Sequence, residues 1–264
     1  MKTLLLAAVA AIAVSAAASA AEVEFYGATE EFAKMMGNCY DAAPAGLRAV
    51  LAKPHAPQLI ATKDNVTFGR LGPVLRASAE WMKGSSGLFV GSSFEGSTNG
   101  VNRFIAIMED LHRGTSGKLI EAYTCKVVTA QMMYLYDYPY NNKGQPTKSP
   151  AFQAAFKADV AAINAWYKAK KTTKDVKETI DDNREYMKSV DGTFAEVGST
   201  LINFHPDHFR YVVMNGMFPK MMVQARELLV RDGIFPADYV GRVGAPEAGP
   251  PPADIPSGKI GSRS

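Results

Sequence analysis

The chain has 264 residues, 29 basic and 26 acidic side chains for a net charge of +3, and 47% hydrophobic residues. That length can bury a sizeable core as one large or two small domains. The near-even charge is not the balance of a nucleic-acid-binding protein.

Residues 1–20 carry one cation, Lys2, then the apolar run LLLAAVAAIAV, and end in small residues through Ala18-Ser19-Ala20. This pattern predicts a secretory signal peptide cut after Ala20 by an A-x-A rule, so the mature chain is expected in the periplasm or secreted. The apolar run is short for an anchor, and no later stretch reaches about 20 uninterrupted apolar residues, so no membrane span is expected in the mature chain. Removing the leader takes Lys2 away and leaves 28 basic against 26 acidic residues.

Residues 22–25 alternate briefly. Thr29 followed by Glu30 and Glu31 then announces a helix carrying Phe32, Met35, Met36, Cys39 and Tyr40. Pro44 interrupts it and opens a further turn through Leu47, Val50 and Leu51, which Pro54 and Pro57 end. His55, between those prolines, reads as an exposed spectator. Residues 58–68 fit either a small hairpin or an extended loop, and 73–83 return to helical spacing through Val74, Leu75, Trp81 and Met82.

Residues 84–100 hold five glycines and five serines. The segment lacks the GxxxxGK[ST] pattern and a positioned lysine, so it is not a phosphate-cradling loop. Asn99 is expected to cap a helix through Val101, Phe104, Ile105, Met108 and Leu111, ended by His112-Arg113-Gly114 and packed antiparallel to the next. That next helix, 119–138, carries only Glu121, Lys126 and Asp137 as charges and is apolar on every side, which marks it as the centre of a bundle.

Pro139 breaks the central helix, and 141–149 form a polar loop. Ser149-Pro150 starts a helix whose stripe Phe152, Phe156, Val160, Ile163 and Tyr167 is expected to face a core, with its lysines and Asp159 facing water. Thr173 opens a more charged helix through Val176, Ile180, Met187 and Val190, continued in pieces past Gly192 and Gly198. Pro219 starts the last helix, with Met221, Met222, Leu228 and Leu229, and Gly233 stops it. From Gly241 the chain has five prolines and five glycines in 24 residues, the composition of a disordered tail.

The expected fold is therefore all-α: a disulfide-linked helical bundle of about eight helices with a disordered Pro/Gly-rich C-terminal tail. Its organisation is a signal peptide 1–20, a helical domain 21–145 centred on 119–138, a second helical part 146–240 packed on the first, and the tail 241–264. The staple is Cys39–Cys125, the one pairing two cysteines allow in an exported chain. Closing that loop stabilises the fold by about 4 kcal/mol in the chain-entropy model. A reactive thiol or metal ligand is the alternative, for which CxxC spacing is absent.

Three groups of residues could carry chemistry. His205 and His208, three apart with Asp207 placed to orient one imidazole, could share a divalent metal. Two ligands do not close a zinc site, so a third, such as His112 or a carboxylate, is required, and Pro206-Asp207 is equally an ordinary helix start. A glycosidase-type general acid would need a carboxylate in an apolar pocket, for which Glu80 beside Trp81, Glu95 and Glu121 are available. Tyr134, Tyr136, Tyr138 and Tyr140, near Met132 and Met133, could line a surface for a partner, whereas Met132, Met133 and Leu135 read as core. No GxSxG or CxxCH is present.

Cys39 at the end of the first helix, the glycine-rich segment from Phe89 and Gly91 through Phe94-Glu95-Gly96 to Gly100, and Cys-x-x-x-Thr-x-x-x-Met-x-Leu from Cys125 to Leu135 together carry a family resemblance. Over residues 30–165 the chain resembles the small periplasmic immunity proteins against type VI secretion amidases and, more distantly, acid-stress periplasmic chaperones. The resemblance implies a disulfide-stapled helical domain that acts by binding another protein of the envelope. The further cysteines usual in those immunity proteins are missing, and the C-terminal part lies outside the match. The leading expectation is thus a non-catalytic binding protein without a cofactor, followed by a metal protein or enzyme using His205 and His208. An envelope protein tethered by its tail is the third.

Overall fold

A computed structural model describes residues 21–53, 56–64, 88–91, 104–137, 145–202 and 208–236. Eight α-helices dominate these residues, as the apolar spacing predicts: α1 Glu30–Asp41, α2 Ala45–Leu51, α3 Glu121–Asp137, α4 Pro150–Lys168, α5 Lys174–Asp182, α6 Val190–Ile202, α7 His208–Met217 and α8 Pro219–Arg231. The local signals act as expected at their starts. The hydroxyl of Thr29 accepts from the Phe32 amide at 3.2 Å, and Ser149 and Thr173 do the same for α4 and α5.

The all-α expectation is corrected by a small sheet. β1 Val23–Tyr26, β2 Gln58–Thr62, β3 Leu88–Gly91 and β4 Phe104–Met108 lie in the order β1-β2-β4-β3. The first two pairings are parallel and β3 runs antiparallel to β4. β1, α1, α2 and β2 thus form a crossover unit, in which the helices cover the strands they connect. The segment 58–62 is neither a hairpin nor a loop but a central strand.

The expected helix through Phe104, Ile105 and Met108 is a central strand as well, and the glycine-rich segment contributes β3. The physical reason is burial on both faces. Leu59 and Ala61 of β2 pair with Ile105 and Ile107 of β4 and join the core under the helices, while Ile60 and Ala106, on the opposite face, are equally buried. A strand covered on both faces is apolar at every position, so it carries no period-2 signal to set against a helical one. Residues 109–112 are a 3-10 turn rather than a helix end.

The disulfide forms as expected. Cys39 of α1 and Cys125 of α3 are bonded, both buried, with Cα atoms 4.8 Å apart. α3 is the centre of the molecule, with twelve of its seventeen residues buried. It packs on α1 and, most extensively, on α6. Gly198 permits that approach, since a Cβ there would lie 2.5 Å from the Met133 terminal methyl. Apolar residues from 21–137 and from 145–236 join one buried cluster. The expected continuous helix from Thr173 to Val190 is instead α5, a 3-10 turn Arg184–Met187, and α6.

Candidate functional site

The ionisable side chains of the interior are spent on holding elements together. Glu109 directly follows β4 and is buried, where its carboxylate accepts from the Thr29 amide at 2.6 Å and the Thr29 hydroxyl at 2.9 Å, and pairs with Arg113. Burial pushes this carboxyl up, but the hydrogen bonds from Thr29 and Arg113 outweigh it and hold it below the usual glutamate range. At the same edge the Asp110 amide donates to the Lys63 carbonyl at 3.0 Å, tying the end of β4 to that of β2. Carboxyl ends of parallel strands are where open α/β sheets hold ligands. Here Glu109 and Thr29 occupy that position with each other.

His112, three residues on, is 1% exposed, between the rings of Phe32 and Tyr123 at 5.3 and 4.8 Å. Its Nδ1 lies 2.9 Å from the Thr124 hydroxyl, which is itself 3.1 Å from the Ile120 carbonyl. The hydroxyl has one proton, and the carbonyl can only accept it. Nδ1–H is therefore assigned as donor to Thr124, leaving Nε2 bare and without a hydrogen-bond partner. Burial, assisted by the Lys126 charge, lowers the imidazole pKa to about 3.

Between α3 and α6, the Lys126 ammonium lies 3.1 Å from the Glu196 carboxylate and 5.8 Å from the Tyr123 ring centroid. At the other end of α3, Tyr136 donates to Asp232, and Asp137 accepts from the Thr147 amide at 2.9 Å and its hydroxyl at 2.6 Å. Asp159 of α4 accepts from the Met221 amide at 2.9 Å, capping α8 from the side, and burial raises its carboxyl to about 6. These ties were not singled out from the sequence. The spacing of α4 puts Asp159 on the water side with the lysines, which the structure corrects: Asp159 is 1% exposed, because its carboxylate accepts the amides that open α8. The one signal present was Lys126, a single cation inside the otherwise apolar α3.

The predicted site residues are dispersed. Tyr136 does not line a partner surface: it is fully buried, its ring against Phe194, and burial and then the bond to Asp232 raise its phenol above the usual range. Tyr134 is half-buried along α6. Burial, then the charges of Asp191, Glu196 and Glu185, raise its phenol too. Met132, Met133 and Leu135 are core, as expected.

Glu121 is exposed in the first turn of α3, where an acid suits the helix dipole, and not in the apolar pocket that a general acid requires. His208 is the first residue of α7. His55, Glu80, Trp81, Glu95, Tyr138, Tyr140, His205, Asp207, the leader 1–20 and the tail 241–264 lie outside the described residues. Among the described residues no three metal-ligand side chains converge, and no helix is long and apolar enough to cross a membrane.

A concave surface among the described residues lies elsewhere, between α4 and α8. It is an open groove of about 490 Å³, lined by Ala151, Ala154 and Ala158 on one side and Lys220, Val223 and Gln224 on the other. Small side chains on α4 make it smooth, and Lys220, which is exposed, sets a cation at its rim. Comparison with protein families, curated proteins and solved structures finds no significant match for this chain.

Proposed function

We propose that the protein is an exported, non-catalytic binding protein of the cell envelope, of the immunity or chaperone kind, and that it takes its partner on the α4/α8 face. The observation that carries the reading is the alanine-lined groove: an open, apolar, concave surface held in shape from below by Asp159, which fixes α8 to α4. Small side chains let another helix approach closely, so contact area comes from the backbone and Cβ surface, without ordering long side chains.

Two further features support it. The Cys39–Cys125 staple suits an oxidising compartment. Glu109, Lys126, Asp137, Asp159 and Glu196 each link two separate elements, as befits a rigid scaffold.

The test is retention of an envelope partner by the immobilised mature protein and by its Ala154→Arg variant. Ala154 is exposed, so arginine fills the groove without entering the core. A single stoichiometric protein held by the wild type and released by at least tenfold from A154R is the expected result. A partner retained equally by both would move the binding face elsewhere, and the absence of any retained protein would refute the reading.

A further inference from the structure

The start of β1 is held in a way that an ordinary strand entry does not need. The Ala21 backbone nitrogen lies 2.7 Å from Oδ2 of Asp41, the last residue of α1. One turn back along the same helix stands Gly37, a poor helix former in the middle of α1. A Cβ at Gly37 would lie 3.0 Å from the Ala21 carbonyl oxygen and 3.3 Å from a Val23 methyl. Residue 21 is thus seated on α1 twice, its carbonyl close against Gly37, where a Cβ would crowd it, and its nitrogen on a carboxylate.

A peptide N–H makes one hydrogen bond to this carboxylate. An ammonium in its place makes the same bond and adds a full positive charge beside the carboxylate. The residue so placed is also the one that becomes the N-terminus if the leader is cut after Ala20. The geometry points to Ala21 as the mature N-terminus, with Asp41 and Gly37 forming a clamp for its newly made ammonium group.

The step that makes the group is hydrolysis by a leader peptidase. Water adds across the Ala20–Ala21 bond, its hydroxyl going to the Ala20 acyl carbon to give a carboxylate, and the departing Ala21 nitrogen is protonated. The charged groups on the two elements that meet here are Glu22 and Glu24 on the β1 side and Glu30, Glu31, Lys34 and Asp41 on α1. A carboxylate at this distance favours the charged form of the amine that cleavage releases. Processing then adds a charge to the contact that already seats β1, an edge strand of the sheet.

This inference rests on the export reading, and the experiment separates the two. The full precursor is expressed and the envelope fraction recovered. Its intact mass is measured, and its α-amine is labelled at pH 7 with an amine-reactive ester. The expected result is a chain beginning at Ala21 whose α-amine labels roughly three- to tenfold more slowly than in Asp41→Asn, because less of it is in the free-base form. A variant with one serine inserted before Ala21, which carries its ammonium past the carboxylate, gives the same contrast should D41N fail to fold.

An uncut chain retained in the cytoplasm would overturn the export reading, and the clamp with it. An exported chain beginning at another residue would overturn the clamp alone, as would equal labelling rates in wild type and variants.

Discussion

Asp159 offers the sharpest test of how the two halves of the chain are joined. Its side chain is 1% exposed, and its carboxylate accepts the amides of Met221 at 2.9 Å and Lys220 at 3.4 Å. Burial raises its pKa from an ordinary 3.8 to about 6. The native state therefore holds the proton more tightly than the unfolded chain. The charged form carries a penalty that is complete above the folded pKa and disappears as pH falls below the unfolded one. A rise of about two units corresponds to about 3 kcal/mol.

Asp159→Asn keeps an oxygen for the Met221 amide and removes the titration. The difference in unfolding free energy, variant minus wild type, should then be most favourable to the variant near pH 7.5 and shrink by roughly 2–3 kcal/mol on going to pH 4. In thermal melts that is a change of roughly 4–12 °C in the gap between the two Tm values. Denaturant titrations of both proteins across this range supply the measurement. A gap that does not change with pH would refute the reasoning that burial outweighs the hydrogen bonds from Met221 and Lys220 at this carboxylate.

Removing the staple with Cys39→Ala and Cys125→Ala together should cost about 4 kcal/mol by the chain-entropy argument, read as a lower urea midpoint. His112→Phe should remove an acid-labile element. The lowered pKa of about 3 means that wild-type stability is complete above the ordinary histidine value and is lost as pH falls below it, by about 3 kcal/mol at pH 4, whereas the variant lacks that slope. Zinc titrated calorimetrically into the mature protein and into a His205→Ala, His208→Ala variant should give identical isotherms. Binding by the wild type alone would transfer the assignment to the histidine pair.

The helices were legible because their signals are local. Thr29, Ser149 and Thr173 act as caps, and Pro44, Pro150 and Pro219 mark starts, at the positions where the sequence puts them. The sheet was not legible, because its central strands are defined by what covers them. The run FIAIM is apolar at both parities, so neither a period of 2 nor one of 3.6 is distinguished, and parallel partners 46 residues apart leave no turn to read. The aromatic run after Met133 failed in another way. Sequence shows that Tyr136 is amphipathic, but the position of Asp232, which takes its hydroxyl into the core, is set by the turn after α8 and lies 96 residues on.

The titrations of Asp159 and His112 oppose one another. Between pH 7.5 and 4 the first gives back about 2–3 kcal/mol of stability as its carboxyl protonates, while the second withdraws about 3 kcal/mol as the unfolded imidazole gains a proton that the buried one refuses. The two nearly cancel. Glu109, held below the usual glutamate range, withdraws its contribution only as pH falls through its lowered pKa. The opposition makes the double variant D159N/H112F informative, since the two single changes should tilt the pH profile of stability in opposite senses relative to wild type and the pair together should largely offset.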